Sequence, residues 1–314
     1  MESVTMSRRD VALALLVVTI WGANFTVIKL GLNGVPPMLL VALRYLLAAL
    51  PAVFFVRPPV VRVRYWLLYG LTVGIGQFGC LFYAMHIGMP AGLASVVLQS
   101  QAFFTLIFAA IILRESVSGA QITGLGFAAL GLFLIGHHAG RAGVVELPMA
   151  ALLLTLAGAA SWGISNIVVR KASEEAIARG EHLDMFSLII WSSLVPPVPL
   201  LLFGLALNPQ EDIAGVLTSL DGMSLFAIVY LAFGATLFGF GAWSSLLSRY
   251  PTNSVAPLSL LVPVTGLLTA GVVLNEQLSL LQWLACLLIL CGLTLSTFGF
   301  PRLHRLLGGE IRSR

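Results

Sequence analysis

The chain has 314 residues and a net charge of +4; 59% of its residues are hydrophobic and only 10% are charged. Because a soluble globular domain is about one quarter charged, this composition excludes an ordinary soluble protein and predicts an all-α membrane protein. The basic C-terminal segment 301–314 ("PRLHRLLGGEIRSR") is typical of a membrane-surface anchor, so we expect no nucleic acid partner.

Ten apolar runs, each long enough to cross about 30 Å of hydrocarbon as a helix, predict ten transmembrane helices. The first run continues past the length of a signal peptide and has no small-residue cleavage site after it, so we interpret it as a retained helix. The ten runs cover residues 11–32, 38–56, 65–87, 91–113, 119–138, 147–170, 183–204, 222–247, 252–274 and 280–300.

The basic residues predict the orientation of these spans. Fourteen of the 17 Lys and Arg residues fall on the side that holds the N-terminus, and only Arg141 falls on the other side. The remaining two, Lys29 and Arg44, lie within spans. Because short cytoplasmic loops carry the excess of basic residues, we expect both termini in the cytoplasm.

The second half of the chain repeats the first. Residues 88–116 align without gaps on residues 249–277, so that Glu115 meets Glu276 at a displacement of 161. A unit of five spans is odd in number, so the second copy enters the membrane from the opposite side. Such inverted-topology repeats typically expose a site between them first to one side and then to the other. The alternative is a duplication that has no part in transport.

The repeat also predicts the domain boundaries. We expect a first five-helix repeat in residues 1–140, a second in residues 141–300, and a basic cytoplasmic tail in residues 301–314.

The first and sixth spans carry a similar mixture of aromatic and polar residues. The first contains "WGANFTVIK", from Trp21 to Lys29, and the sixth contains "WGISNIVVRK", which starts at Trp162. Helical periodicity places Trp21, Asn24 and Lys29 on one stripe, and places Asn166 on the same stripe as Trp162. These residues are therefore candidate substrate contacts. Simple core packing is the alternative for the two tryptophans.

Two cations lie within the predicted spans. An arginine near the bilayer centre costs roughly 2.5 kcal/mol or more, so we expect a packed or functional partner for Arg44. Lys29 lies nearer the outer end of its span, where it either snorkels to the surface or binds substrate. The two cations make the outer half of the first repeat positive, and a substrate carboxylate would find its partner there.

Polar side chains in the third and fourth spans are further candidates. Gln99 and Gln101 lie in the fourth span, and Gln77 and Tyr83 lie in the third. An amide in lipid either forms an interhelical hydrogen bond or lines a wet cavity. Gln99 and Gln101 are two residues apart and point to different faces, so we expect only one of them to line a cavity.

The ninth span is predicted to contain two helix breaks, at Pro257 and Pro263. Each proline removes a helical hydrogen bond and frees a carbonyl oxygen. A free backbone acceptor and the Ser259 hydroxyl are then expected near the middle of the membrane. A plain kink is the alternative, because proline is common in membrane helices.

Several kinds of site are missing from the sequence. None of the 13 acidic residues falls in the middle of a predicted span, which disfavours a drug/proton antiporter with a buried carboxylate. There is no metal-ligand cluster, nucleotide-binding motif or hydrolase triad, so we expect no cofactor, no metal and no enzymatic activity. His86, near the outer end of the third span, is expected to be a hydrogen-bonded structural residue.

Three stretches of the sequence carry a family resemblance: "MSRRDVALALLVVTIWGANFTVIKLGL", "GMPAGLASVVLQSQAFFT" and "VAPLSLLVPV". They resemble the drug/metabolite transporter superfamily, and within it the ten-span exporters built from two EamA domains. The likeness covers nearly the whole chain, although the copy at Trp162 matches the pattern only in part. The resemblance implies ten helices around a central cavity and the export of small metabolites, above all amino acids and their derivatives.

We therefore expect a multi-pass exporter of amino acids or related metabolites in the cytoplasmic membrane of a bacterium, working by alternating access as a monomer or weak dimer. Its expected partners are the lipid bilayer and the small-molecule substrate. A multidrug or organic-cation exporter is one alternative, and a membrane sensor or scaffold without transport is another. The residues expected to hold substrate near the bilayer middle are Trp21, Asn24, Gln99, Trp162, Asn166 and Ser259, with Lys29 or Arg44 at its carboxylate.

Overall fold

The computed structural model describes residues 6–138 and 147–306, in which all regular secondary structure is helical. Within these two ranges, eight helices are long and apolar enough to cross a membrane, and two further helices meet at a bend of 41° and qualify as one broken span. In chain order we name the main elements α1 (Arg8–Gly31), α2 (Pro37–Ala52), α3 (Val63–His86), α4 (Ala91–Ile112), α5 (Gly119–His138), α6 (Met149–Ala178), the bent pair α7 (Met185–Ser192 and Pro197–Leu207), α8 (Gly222–Arg249), α9 (Ala256–Leu274) and α10 (Leu280–Leu306).

Some features of the sequence fall outside this description. Arg141, the predicted boundary between residues 140 and 141, and tail residues 307–314 are not among the described residues. Two short helices complete the described part: Ile213–Thr218 precedes α8, and Thr252–Val255 leads into α9.

Helices α2 and α6 are two of the helices whose lengths differ from those of the predicted spans. Helix α2 has 16 residues and ends at Ala52, four residues before the predicted end, so it is shorter than the roughly 20 residues of a typical transmembrane helix. Helix α6 continues eight residues past the predicted end, because pairs spaced by four residues stabilise a polar extension. Arg170 pairs with Glu174 at 3.3 Å, and Glu175 pairs with Arg179 at 2.9 Å.

The predicted seventh span is broken rather than continuous. Its first part ends at Ser192, its second begins at Pro197, and residues 193–196 form the bend. Pro196 and Pro197 lack backbone N–H groups, so the helical hydrogen-bond ladder cannot run through this point. The bend brings Ser192 and Ser193 to the wall of a buried cavity described below.

Helix starts in the two halves show the same local structure. Ser118 and Gln121 form a reciprocal cap before α5, with the two backbone N–H groups donating to the opposite side chains at 2.8 and 3.3 Å. Ser279 and Gln282, displaced by 161, form the same cap before α10 with the same two distances. This is the capping-box arrangement, which satisfies otherwise unpaired N–H groups.

Irregular helical segments also occur in corresponding places. Helix α3 is π-helical over Gly70–Gly79, and α8 is π-helical over Tyr230–Phe238. Helix α4 contains a short 3-10 segment, Leu98–Ser100, and α9 begins with a 3-10 segment, Ala256–Leu261. Segments of both kinds leave backbone carbonyls that side chains can reach.

Glycines allow close contact between helices. An added Cβ on Gly22 of α1 would collide with Thr265 and the backbone of Gly266 in α9. Helices α5 and α10 cross where Gly124 and Gly292 each lie against the backbone of the other helix. Such small-residue contacts are the usual way in which membrane helices pack tightly.

Candidate substrate site

Helix α2 contains a buried arginine. Arg44 of α2 has only 2% of its surface exposed. Its Nε donates to Thr236 Oγ1 at 3.1 Å, and its Nη1 donates to Asn24 Oδ1 at 3.4 Å. The guanidinium carbon lies 4.0 Å from the ring centre of Phe78, which is a cation–π contact. Within the described ranges, no carboxylate oxygen lies within 4.0 Å of this guanidinium.

Thr236, which accepts from Arg44, lies in the π-helical segment of α8. The Thr236 hydroxyl donates to the carbonyl of Leu231, five residues earlier, at 2.8 Å. Its oxygen lone pairs therefore remain available to accept from the arginine. The same segment exposes the carbonyl of Ala235, which accepts from Trp21 Nε1 at 3.0 Å.

A small cavity lies beside Arg44. Its volume of about 20 Å³ is enough for roughly one water molecule and too small for an amino acid. The wall combines one cation with aromatic rings and hydroxyl groups, a mixture that suits a small zwitterionic or anionic molecule once the cavity widens. The aromatic and hydroxyl side chains on this wall are Tyr45, Tyr69, Phe78, Phe240, Ser192, Ser193 and Thr236.

Trp21 lies at one edge of this group. Its ring packs against Phe240 and Trp243 with ring centres 5.2 Å apart in both pairs. Phe240 also lines the cavity, so the aromatic cluster and the cavity share a wall. The structure therefore brings together three of the predicted residues, Trp21, Asn24 and Arg44.

Asn166 forms a separate polar contact between α6 and α4. Its side-chain Nδ2 donates to Gln101 Oε1 and to Thr105 Oγ1, both at 2.9 Å. Gly163, next to Trp162, packs against Phe104 and Thr105, and Trp162 itself is half-buried. The contacts of Trp162, Asn166 and Gln101 join α6 to α4 and do not reach Arg44.

The two remaining predicted amides are buried. Gln77 has 3% of its surface exposed, and its Oε1 is a buried side-chain oxygen without a hydrogen-bond partner in the described part of the chain. An unpaired buried acceptor calls for a ligand, a water or a movement of the surrounding helices. Gln99 is 9% exposed and lies in the 3-10 segment of α4.

Lys29 and Tyr83 lie toward the predicted outer ends of their helices, away from Arg44. Lys29 Nζ donates to the carbonyl of Met85 at 2.7 Å. Tyr83 packs beside His86, with ring centres 6.1 Å apart, and both line a larger cavity of about 430 Å³ beside the connection between α1 and α2. Neither Arg44 nor any other predicted binding residue except Tyr83 lines that cavity.

The proline segment of α9 forms a third group. Pro257 lies in the 3-10 segment, where the Ser259 hydroxyl donates to the carbonyl of Ala256 at 2.7 Å. Pro263 lies in the first turn of the α-helical part, and its carbonyl accepts from Ser95 Oγ at 3.3 Å. The hydroxyl of Ser259 is therefore engaged within its own segment, and the break contacts α4 through Ser95.

Several residues of the site were not predicted. Thr236, Phe78, Tyr69, Ser192 and Ser193 lie within apolar runs, and nothing in their spacing distinguishes them from core residues. A detectable signal was the pair Pro196 and Pro197, which predicts a break in α7 and hence exposed polar groups next to it. Across the described ranges, no group of three or more His, Cys, Asp or Glu residues is arranged to hold a metal ion.

Comparison with known proteins identifies related sequences over almost the whole chain. The family model described as the EamA-like transporter family matches twice, at residues 9–136 and 149–298. A protein of Salmonella typhimurium (strain LT2) named "Probable amino-acid metabolite efflux pump" is 44% identical over 301 residues, which cover 94% of this chain and 97% of that protein. The protein of the same name from Escherichia coli (strain K12) is 43% identical, with 94% and 96% covered.

A more distant relative and a solved structure extend the comparison. The "Uncharacterized inner membrane transporter YedA" of Escherichia coli (strain K12) is 25% identical over 89% of this chain and 88% of its own length. A chain of known crystal structure superposes with a TM-score of 0.60 over 97% of this chain and 100% of its own, at 20% identity. This superposition concerns the fold alone.

Proposed function

The chain belongs to the EamA-like transporter family, and from this membership we propose that it exports amino acids or related small metabolites across the cytoplasmic membrane of a bacterium. Membership of a transporter family makes it a multi-pass membrane transporter and not an enzyme, as the sequence predicted. The substrate class is supported by the two relatives that are 44% and 43% identical, each named as a probable amino-acid metabolite efflux pump.

The proposed mechanism is alternating access between two inverted repeats of five spans each, with both termini in the cytoplasm. Three observations support the repeat: the family model matches each half separately, the capping boxes before α5 and α10 coincide at a displacement of 161, and π-helical segments interrupt both α3 and α8. In this arrangement the second span is the short helix α2 and the seventh is the bent pair α7. The site between the halves opens to the two sides in turn.

Arg44 carries the proposal for substrate recognition. A buried guanidinium without a carboxylate partner is costly in a membrane, and a substrate carboxylate would offset that cost through charge-assisted, bidentate hydrogen bonds. Asn24 and Thr236 hold the guanidinium in place, since both already accept from it. The surrounding aromatic rings and hydroxyl groups would contact the rest of the substrate.

The present cavity is closed around Arg44. A volume of about 20 Å³ cannot admit an amino acid, so substrate entry requires the helices around Arg44 to separate. The π-helical segments and the bend in α7 are the places where the surrounding helices are least regular, and they are the proposed points of movement.

The charge of this site disfavours the export of organic cations. A buried carboxylate is the usual partner of a transported organic cation, and no aspartate or glutamate is buried among the residues that the structure describes. The buried charge next to the cavity is instead the positive Arg44.

Transport by purified protein in liposomes tests the proposal. We expect uptake of some of cysteine, threonine, methionine and the aromatic amino acids, and no uptake of the corresponding amines that lack the carboxylate. The assay is run with and without a pH gradient to identify proton coupling, and protein-free liposomes are the control. The substrate class is contradicted if no amino acid crosses the membrane, and the assignment of Arg44 is contradicted if the amines are transported as well as the acids.

A further inference from the structure

The helix ends that carry Glu115 and Glu276 share one backbone geometry. The preceding residues, Arg114 and Asn275, both adopt the left-handed conformation, with φ of 56° and 54°. In each copy the glutamate N–H then donates to the carbonyl of the alanine six residues earlier, at 3.4 Å and 3.3 Å. This closure resembles the usual left-handed helix ending. Two equivalent backbones therefore present two equivalent carboxylates.

The carboxylate of Glu276 closes the start of α4. Its Oε1 accepts from the N–H of Ala91 at 2.7 Å, and its Oε2 accepts from the N–H of Gly92 at 2.9 Å. Pro90, which precedes the helix, supplies no side-chain cap of its own. An ionised carboxylate on the first N–H groups of a helix is a strong, charge-assisted contact. It ties the end of α9 to the start of α4, where Leu93 is completely buried.

The equivalent carboxylate, that of Glu115, has a different partner. It forms a two-point ion pair with Arg170 of α6, with Nη1 to Oε2 at 2.8 Å. The two side chains are 39% and 47% exposed. The displacement of 161 makes Thr252 and Asn253 the equivalents of Ala91 and Gly92.

The burial of the two helix starts also differs. Ser254, which is equivalent to Leu93, is exposed. Residues 91–100 are buried throughout, whereas residues 256–261 at the start of α9 are half-buried or exposed. The start of α4 is therefore closely packed, whereas the start of α9 is packed less closely.

A cation accompanies each glutamate. The displacement of 141 between the first and sixth spans makes Lys29 the equivalent of Arg170. Arg170 is paired with Glu115, whereas Lys29 donates to Met85 and interacts with Glu276 only through longer-range attraction. In the described structure Glu276 therefore contacts a helix start and Glu115 contacts a cation, and the repeat assigns each glutamate an equivalent of the other's partner.

We propose that Glu276 and Glu115 are alternate latches of the transport cycle, an inference that rests on the alternating access in the proposed function. In the described state Glu276 holds the outer end closed while Arg170 holds Glu115 away from the helix start at Thr252. In the outward-open state Glu276 moves to Lys29, and Glu115 accepts from the N–H groups of residues 252 and 253. Formation of one latch accompanies release of the other.

Thiol labelling from the two sides of the membrane tests this exchange without any substrate. The three natural cysteines are replaced by alanine, and a reporter cysteine is introduced at one of two equivalent positions, as Leu93→Cys or Ser254→Cys. Membrane-impermeant maleimide is applied to right-side-out and inside-out vesicles. With Glu276→Gln we expect labelling at position 93 from outside to rise about tenfold, because a charge-assisted contact is lost. Labelling at position 254 from inside should fall in the same variant.

A second variant tests the inner latch without disturbing a buried contact. Arg170→Gln removes the exposed partner that holds Glu115, so we expect labelling at position 254 to fall and labelling at position 93 to rise. Arg62→Gln, which removes another exposed cation from the predicted cytoplasmic side, is the matched control and should change neither. The proposal is overturned if Glu276→Gln changes only position 93, or if Arg170→Gln leaves both positions unchanged.

The outcome separates the latch from the substrate assignment. Reciprocal labelling without amino-acid flux would support the latches and contradict the proposed substrate class. Amino-acid flux with no reciprocal labelling would support the substrate class and overturn the latches.

Discussion

The two helices that carry the Trp-Gly pattern, α1 and α6, have diverged in what their polar residues contact. In α1, Asn24 is buried and accepts from Arg44 beside the small cavity. In α6, Asn166 is half-buried and donates to Gln101 and Thr105 of α4. At the displacement of 141 between the two spans, Asn24 corresponds to Ser165 and Asn166 corresponds to Phe25. The two asparagines therefore lie one residue apart in the repeated pattern, and each has its own partner.

The polar residues of α1 and α6 have different partners because the helices around them carry different side chains. Asn24 of α1 accepts from Arg44 of α2, whereas the described segments of α7, at the corresponding place in the second half, contain no Lys or Arg. The buried positive charge is therefore asymmetric between the two halves. The proposed site agrees with this asymmetry, because one buried cation is enough to bind one substrate carboxylate.

The largest expected effect is the loss of transport when Arg44, the buried charge that distinguishes the two halves, is replaced. Arg44→Gln should reduce amino-acid transport about 10- to 100-fold, because a hydrogen bond to a charged group contributes about 1.5–3 kcal/mol. Arg44→Lys should restore only part of the activity, since lysine cannot form the planar two-point contact. Initial rates of uptake into liposomes measure both variants.

The matched control for this change is Arg64→Gln. Arg64 is exposed and pairs with Glu175, so its replacement should leave uptake unchanged. Elution of each variant as a single peak from size-exclusion chromatography checks the fold. Equal uptake by the Arg44→Gln protein and the unaltered protein would place the carboxylate site elsewhere.

The next largest effect is a change in KM that we expect for Asn24 and not for Asn166. Asn24→Ala removes an acceptor that orients Arg44, so the KM for amino acids should rise about three- to tenfold, as expected for a hydrogen bond worth about 1 kcal/mol. Asn166→Ala should leave KM unchanged and lower the free energy of unfolding in an SDS titration by about 1 kcal/mol. If both variants raise KM equally, the two asparagines contribute alike and the asymmetric site is wrong.

A smaller difference is expected between the two tryptophans. Trp21→Phe keeps an aromatic ring against Phe240 but loses the hydrogen bond from the indole to Ala235. We expect the free energy of unfolding to fall by about 0.5–1.5 kcal/mol. Trp162→Phe should change it less, because an aromatic ring still packs against the core and no indole hydrogen bond among the described residues is lost. The SDS titration compares the two variants, and a larger loss for Trp162→Phe would reverse this ranking.

The smallest expected effect is on stability at acid pH, and it concerns the start of α8, which is capped differently from the start of α3. Asp221 caps α8 by accepting from the N–H of Ser224 at 2.7 Å, whereas α3 begins without a side-chain cap. The backbone hydrogen bond from Ser224 lowers the pKa of Asp221 below its usual value. The contribution of the Asp221 cap to the free energy of unfolding is therefore fully present above the pKa that Asp221 has in the unfolded chain. It is lost as the pH falls through the lower pKa that Asp221 has in the folded protein.

Thermal unfolding of the protein in detergent between pH 7 and pH 3 measures this contribution. Asp221→Asn keeps a capping oxygen without a titrating group, so its stability should fall less steeply with acid than that of the unaltered protein. Identical acid profiles for the two proteins would exclude a contribution from this carboxylate.

Part of the fold and site could be read from the sequence. The apolar runs predicted where the helices lie, and the resemblance of the Trp-Gly and Pro-containing segments predicted the family that the comparisons identify. Arg44 was recognisable because a cation within an apolar run is costly and demands a partner. The extension of α6 to Ala178 was missed because hydropathy detects membrane contact, whereas ion pairs spaced by four residues can continue a helix into water.

The sequence alone determined the helical class, the positions of the apolar helices and the presence of a buried cation, because these depend on composition and on neighbours within a few residues. Only the tertiary structure decided which polar groups meet. Thr236 contacts Arg44 across 192 residues of chain, and it lies in a π-helical segment of α8 that packs against α2. The choice of Asn24 rather than Asn166 as the partner of that cation depends on helix packing, which no local pattern specifies.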